Sequence, residues 1–228
     1  MQTGLFVQVR LGSTRLPGKA LLPLAGATVI QHVMRAVRAV PADVYALLTD
    51  HQSLGGLRRA ASEEGFEVMA GPDEDVLERY CMAVRTYGVA EVIRATGDNP
   101  LTSARLARDI LDTHRRSGSE LSHYLDVPWG SGVEVVSASA LLRAEREAGG
   151  QDEREHITTF HYRHRERFRI LEEPAPDYGR CRELRVTVDT ADDLENVRRI
   201  FLELYRGSPI EIDAVIAWWK GRREQAHD

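Results

Sequence analysis

The chain of 228 residues predicts a three-layer α/β/α fold built on a mostly parallel, mixed sheet. Strand-length apolar runs at residues 5–9, 44–48, 67–69 and 92–95 alternate with helix-length amphipathic segments at 28–40, 55–65, 76–87 and 104–117. The first run, LFVQV, feeds directly into a Gly-rich basic loop, RLGSTRLPGK at 10–19. Open α/β sheets bind ligands at such strand ends. Finally, 43% hydrophobic and 29% charged residues over this length suit one soluble domain with a substantial core.

The elements follow in order. Thr28, Asp75 and Ser103 stand at the starts of three predicted helices, where a side-chain oxygen can cap exposed N–H groups. After residue 121 the βα rhythm changes. A strand is expected at 132–136, a helix at 137–147, and a very polar helix at 151–168. Strands at 168–172 and 183–188 flank a turn marked by Pro174 and Pro176. Helices at 192–205 and 212–222 close the chain. The expected organisation is one domain over 1–228, with a nucleotide-binding half at 1–120 and an acceptor and dimerisation half at 121–228. Trp218 and Trp219 on the last helix read as packing or a dimer contact.

The first loop carries the chemistry. Lysine occurs only at Lys19 and Lys220 among 30 cationic residues, so a compact ammonium at Lys19 is a marked choice in an arginine-rich chain. The first 42 residues hold five cations and no Asp or Glu, although the whole chain is formally −5. That local field suits a polyanion such as a nucleoside triphosphate. The loop is not a Walker A motif: five residues separate Gly12 from Gly18, and Ala20 stands where Ser or Thr would hold magnesium. The dinucleotide pattern G-x-G-x-x-G is absent too.

The motif R-x-G-S-x-R-L-P-G-K resembles the opening of the cytidylyltransferases that make CMP-activated sugar acids. Within that group it is closest to the bacterial spore-coat polysaccharide branch. The resemblance implies the nucleotide-diphospho-sugar transferase (Rossmann-like) fold and transfer of CMP from CTP to a small acidic sugar-like acceptor, with release of pyrophosphate. It implies catalytic roles for Arg10, Lys19 and Asp98. Val9, Arg10, Gly12, Ser13, Arg15, Lys19, Gly71 and Arg94 are the residues assigned to the nucleotide.

Asp98, in Gly97-Asp98-Asn99-Pro100, follows an apolar strand. A carboxylate there can hold Mg²⁺, which takes one or two carboxylates plus phosphate oxygens; turn chemistry is the bland alternative. Asp189, in Val188-Asp189-Thr190, precedes a capping box of Thr190 and Asp193. Its role as second metal ligand is implied by the resemblance alone. So are the acceptor assignments to Asp75, Arg79, Glu134 and Arg154, although acids at 73–75 also suit a helix start. Glu153-Arg154-Glu155-His156, with His161 and His164, lacks metal-site spacing and reads as a charged helix with surface histidines, in which only Arg154 or His156 is a candidate for acceptor contact.

Rival readings remain at this stage. A glycosyltransferase would use a D-x-D motif, which Asp73-Glu74-Asp75 matches. A non-catalytic nucleotide-binding homologue, or a transferase using a guanine or uracil nucleotide, are others. Asn99 and the segment 122–132 depart from the spore-coat branch and bear on the acceptor. A pI near 5.9 argues against nucleic-acid binding. No apolar run is long enough to span a membrane, and a first strand close to Met1 leaves no room for a signal peptide. Two cysteines suggest no disulfide framework. A cytoplasmic homodimer is the expectation.

Overall fold

The structure is a computed structural model that describes residues 1–225. The chain starts with β1 (Thr3–Gln8), passes the basic loop, and forms a small hairpin of β2 (Pro23–Leu24) and β3 (Ala27–Thr28). It continues through α1 (Val29–Arg38), β4 (Val44–Asp50), α2 (Leu54–Glu63), β5 (Glu67–Gly71), α3 (Val76–Tyr87), β6 (Glu91–Thr96) and α4 (Ala104–Ser117). The second half holds β7 (Leu121–Leu125), β8 (Glu134–Ser137), α5 (Ala138–Glu147), α6 (Gln151–Glu155), α7 (Thr159–Arg163) and β9 (Ile170–Pro174). It ends with α8 (Ala191–Leu204) and α9 (Ile212–Gln225).

Seven strands form one sheet in the order β5-β4-β1-β6-β8-β7-β9. The pairs β5/β4, β4/β1, β1/β6 and β7/β9 are parallel, and only β8 runs against its neighbours. The expected mostly parallel, mixed sheet is therefore present. Successive strand residues point to opposite faces, so Leu5, Val7, Leu47, Ile93 and Val135 pack under α1, α2 and α4. Phe6, Ala46, Leu48, Val92 and Val136 pack under α3, α5 and α7. A third apolar cluster joins α8 and α9 to Leu24, Leu101, Val186 and Val188.

The helix caps act as the residue types predict. Thr28 and Gln31 form a capping box on α1, and Thr190 and Asp193 form one on α8. Asp75 accepts from the Glu78 N–H at 2.8 Å, and Ser103 from the Leu106 N–H at 3.2 Å.

Four elements differ from the sequence expectation. The polar helix expected over 151–168 is two short helices, α6 and α7, broken around His156. His161, expected on the surface, is fully buried against Phe168. The expected strand at 183–188 is extended but pairs with loops: Trp129 N–H donates to the Leu184 carbonyl, and Val188 N–H to the Asp98 carbonyl, each at 2.8 Å. Its alternation was real, but its partners are loop residues, so it forms no ladder beyond the single bridge of Trp129 with Arg185. The hairpin β2/β3 and strand β7 were not foreseen. The hairpin turns at Ala25 and Gly26, with φ of 44° and 84°. Positive φ at both central positions is the I′ geometry, which alanine does not signal. In β7 the polar Ser122 is buried because the ring of His114 bonds its hydroxyl at 2.8 Å.

Trp218 and Trp219 pack against the third cluster, and the Trp218 indole donates to Glu203 at 2.7 Å. Both cysteines are free and buried, and burial raises the Cys81 thiol to about 12. Among the described residues no helix is long and apolar enough to cross a membrane.

Candidate active site

Strand order alone marks the place. The chain steps outward from β1 to β4 to β5 with α1 and α2 on one face. It then crosses on the other face through α3 and returns to β6 beside β1. The carboxyl ends of β1 and β6 thus adjoin at the point where the winding reverses, the usual crevice of such sheets. Gln8 and Thr96 are register partners there. Just beyond them the Gly97 N–H donates to the Gln8 carbonyl at 2.8 Å.

The basic loop leaves β1 at this point and is tied down at its base. Leu11 N–H donates to the Ser53 hydroxyl at 2.8 Å, and Asp50 at the end of β4 accepts from Ser53 N–H at 2.7 Å and from its hydroxyl at 2.9 Å. Gly18 N–H donates back to the Leu11 carbonyl at 3.1 Å, closing the loop. A one-turn 3₁₀ helix then begins at Lys19 and aims its side chain at the strand ends. Gly97 is required by close approach. A Cβ there would lie 2.7 Å from Val9 Cβ and 3.0 Å from Ile30 Cδ1. Gly97→Ala should therefore strain the contact of β1 with β6, at about 1–3 kcal/mol, and displace Asp98. The expected readouts are a lower melting temperature and weaker nucleotide binding.

The centre of the site is one ammonium between two carboxylates. Lys19 Nζ lies 2.6 Å from Asp98 Oδ2 and 2.9 Å from Asp189 Oδ1. Arg15 reaches the same Asp189 oxygen at 3.0 Å, and Arg185 binds Asp189 Oδ2 at 2.6 Å. Burial acts to raise the Asp189 carboxyl, but the Lys19 hydrogen bond and the charges of Lys19, Arg15 and Arg185 hold it below the usual carboxylate range. The cavity in front has a volume of about 350 Å³. Val9, Arg10, Ser13, Arg15, Lys19, Arg79, Asp98 and Asp189 line it.

Asp98 and Asp189 already share one cation, in the form of the Lys19 ammonium. The donor set is also what Mg²⁺ takes, two carboxylates with room for phosphate or water oxygens. Among the described residues no group of three or more His, Cys, Asp or Glu could hold a metal. The residues thus fit a cation that completes its shell with a ligand rather than an all-protein cage.

The remaining predicted residues fall into two classes. Arg79 lines the cavity, is 4% exposed, and makes one long contact to the Asp73 carbonyl at 3.4 Å. Among the described residues its Nε has no partner, and burial lowers its pKa. The others face each other. Arg94, on β6, donates to Glu134 of β8 at 2.6 Å and to Gln8 at 2.9 Å. Thr158 and Tyr162 also bond that carboxylate, at 3.2 and 3.1 Å. Burial alone would raise Glu134, yet the Arg94 charge and hydrogen bond bring it below the usual range. Arg154 binds Asp75 at 3.2 Å and the carbonyls of Ala148 and Glu145 at 3.0 and 2.8 Å. Asp75, Arg94, Glu134 and Arg154 are not on the cavity wall, nor are Gly12 and Gly71. Gly71 instead clears the stem of Arg79, whose Cγ would lie 2.6 Å from a Cβ there.

Several wall residues were not foreseen: Gln8, Thr96, Val76 and Glu155; His156, a candidate for acceptor contact alongside Arg154, does line the cavity. Glu155 faces Arg10 at 3.6 Å. Arg185 was missed as well, although it stands four residues before Asp189 on an extended segment. Period-two alternation puts both on one side, and that spacing was the available signal.

A basic loop closing on paired aspartates at a sheet switch point finds its match among known proteins. The family model described as Cytidylyltransferase matches residues 5–212. The chain belongs to the cytidylyltransferase family. It is thus a CTP-dependent nucleotidyltransferase. It is 30% identical over 202 residues to the spore coat polysaccharide biosynthesis protein SpsF of Bacillus subtilis, covering 86% of this chain and 84% of that one. Its fold superimposes on a cytidylyltransferase from Leptospira borgpetersenii with a TM-score of 0.89, at 24% identity and over 98% and 96% of the two chains. It also matches CMP:2-keto-3-deoxy-manno-octonic acid synthetase complexed with CTP, with a TM-score of 0.68 at 18% identity, over 89% and 99%.

Within a cytidylyltransferase, the D-x-D at Asp73 and Asp75 needs no metal role. Asp75 caps α3 and pairs with Arg154, while Asp73 accepts from Gln52 at 3.3 Å.

Proposed function

We propose that this cytidylyltransferase transfers CMP from CTP to a hydroxyl of a small sugar acid and releases pyrophosphate. The observation that carries the reading is Lys19, from the phosphate-type loop, bridging Asp98 and Asp189 at the cavity wall. Arg10, Arg15 and Lys19 bind the triphosphate, with the backbone N–H groups around Ser13. Asp98 and Asp189 would hold Mg²⁺, which would supply Lewis-acid chemistry at the triphosphate. Such transfer depends on positioning and charge neutralisation rather than on a covalent protein nucleophile.

The acceptor hydroxyl attacks the α-phosphorus, and the bond to the β-phosphate breaks as pyrophosphate leaves. Arg79 supplies an underused, desolvated cation for an acidic acceptor or a phosphate. The pairs of Arg94 with Glu134 and of Asp75 with Arg154 brace the cavity from behind, so their part in binding is indirect. In this reading residues 1–120 present the nucleotide and 121–228 complete the acceptor side, with Asp189 returning to the metal. The enzyme works as a cytoplasmic homodimer serving polysaccharide or glycoconjugate synthesis, a role in keeping with the spore-coat relative.

Calorimetric titration of CTP, UTP, GTP and ATP, with and without Mg²⁺, tests the first half on wild type and Lys19→Ala. A magnesium-dependent preference for CTP that disappears in the variant is expected. A panel of sugar acids, followed by pyrophosphate release, then tests the acceptor. No CTP binding, with tight binding of UDP- or GDP-sugars, would overturn the reading.

A further inference from the structure

Arg185 has no place on the cavity wall, yet it makes the shortest polar contact to Asp189. Both oxygens of this carboxylate are occupied, Oδ1 by Lys19 at 2.9 Å and Arg15 at 3.0 Å, and Oδ2 by Arg185 at 2.6 Å. Asp98 shares Lys19. A lone divalent cation approaching this pair therefore meets three positive side chains, with both Asp189 oxygens already engaged. A triphosphate changes the balance for two of them, because Lys19 and Arg15 line the cavity and can turn to phosphate oxygens. Arg185 does not line the cavity.

Arg185 has another partner instead. Its Nε lies 3.2 Å from Asp193 Oδ1, and Asp193 is fixed by the capping box of α8. Its guanidinium carbon is 6.0 Å from the Trp129 ring centroid, within cation–π range. Trp129 is 65% exposed, but its backbone is pinned to both sides of Arg185. Its N–H donates to Leu184, and its carbonyl accepts from Val186, each at 2.8 Å. The Arg185 side chain is 44% exposed, so letting go of Asp189 strands no buried charge.

We propose that Arg185 is a positioning residue, a displaceable counter-ion that closes Asp189 to a free divalent cation and yields it when the cation arrives with the nucleotide. This rests on the reading of Asp98 and Asp189 as the metal carboxylates. Its consequence is linkage: metal binds weakly alone and well with the triphosphate, so the empty enzyme does not trap metal in the nucleotide's place.

The test is Mn²⁺ binding followed by electron paramagnetic resonance of the free ion, with melting temperatures recorded for every protein. Without nucleotide, Arg185→Gln should bind Mn²⁺ about fivefold tighter than wild type, the upper range for loss of one partly exposed ion pair. Arg185→Lys, which keeps the charge, should stay within about twofold of wild type. With saturating CTP the three proteins should converge. A merely structural role for Arg185 would produce no gain of affinity. If Arg185→Gln binds free Mn²⁺ no tighter while wild type binds Mn²⁺ with CTP, the counter-ion role is overturned and the metal site stands. If wild type takes up no Mn²⁺ even with CTP, both fall.

Discussion

Asp98→Asn is expected to lower turnover with CTP and Mg²⁺ by about 10²–10³-fold, the usual cost of losing one electrostatic contact to the transferring group. The substitution is nearly isosteric, and the backbone that fixes residue 98 does not depend on its carboxylate. The Asp98 carbonyl accepts from Val188, and the adjacent Asn99 amide bonds Thr96 at 2.6 Å. The loss is therefore in charge and not in fold. Lys19 keeps Asp189 as a partner and stays in the loop. CTP affinity without metal is expected to hold or improve, since a negative charge beside the phosphates has gone, while the magnesium enhancement disappears. Pyrophosphate release and metal-free calorimetry separate the two effects. Near wild-type turnover with magnesium would remove Asp98 from the mechanism.

Glu134→Ala is the largest expected stability effect. Glu134 and Arg94 pair across β6 and β8 with side chains only 17% and 19% exposed. Removing one partner leaves a desolvated guanidinium, along with Tyr162 and Thr158 hydroxyls that lose their acceptor. The cost should be about 3 kcal/mol, at the low end for breaking a buried pair because some exposure remains. A lower melting temperature at pH 7 with CTP binding retained is expected. Loss of CTP binding without loss of stability would show a direct ligand role instead.

The pH dependence has a definite sign. The folded Glu134 carboxyl lies below its ordinary value of 4.5. Its contribution is complete above that value and is lost as pH falls through the lower folded one. The melting-temperature difference between wild type and Glu134→Ala should therefore shrink only in acid.

Local chemistry accounts for what the sequence showed best. The apolar runs of β1, β4 and β6 alternate or run continuous as a buried parallel sheet requires, and the caps at Thr28, Asp75, Ser103 and Thr190 act on neighbours three residues away. The loop from Arg10 to Lys19 stood out by its glycines, its cations and its place at the end of a strand. Segments whose partners lie far along the chain were less legible. The extended piece before Asp189 looked like a strand because its side chains alternate, but a strand also needs a neighbouring ladder, and only tertiary structure supplies loop residues there instead. His161 looked like surface because the segment 151–167 as a whole is rich in charge, while in space it packs on Phe168.

The same division holds for the site. Residue types and spacing by themselves determined the α/β class, marked the basic Gly-rich loop at a strand end and made Asp98 worth considering, whereas Asp189 was singled out only by the family resemblance. Only the fold decided which charges meet. It brings Lys19 between Asp98 and Asp189, which lie 79 and 170 positions further along the chain. It also turns Arg94, Glu134, Asp75 and Arg154 toward one another rather than into the cavity. Charge pairing depends on separations of a few ångströms, and distances between residues remote in sequence are set by how the layers pack, which no local pattern encodes.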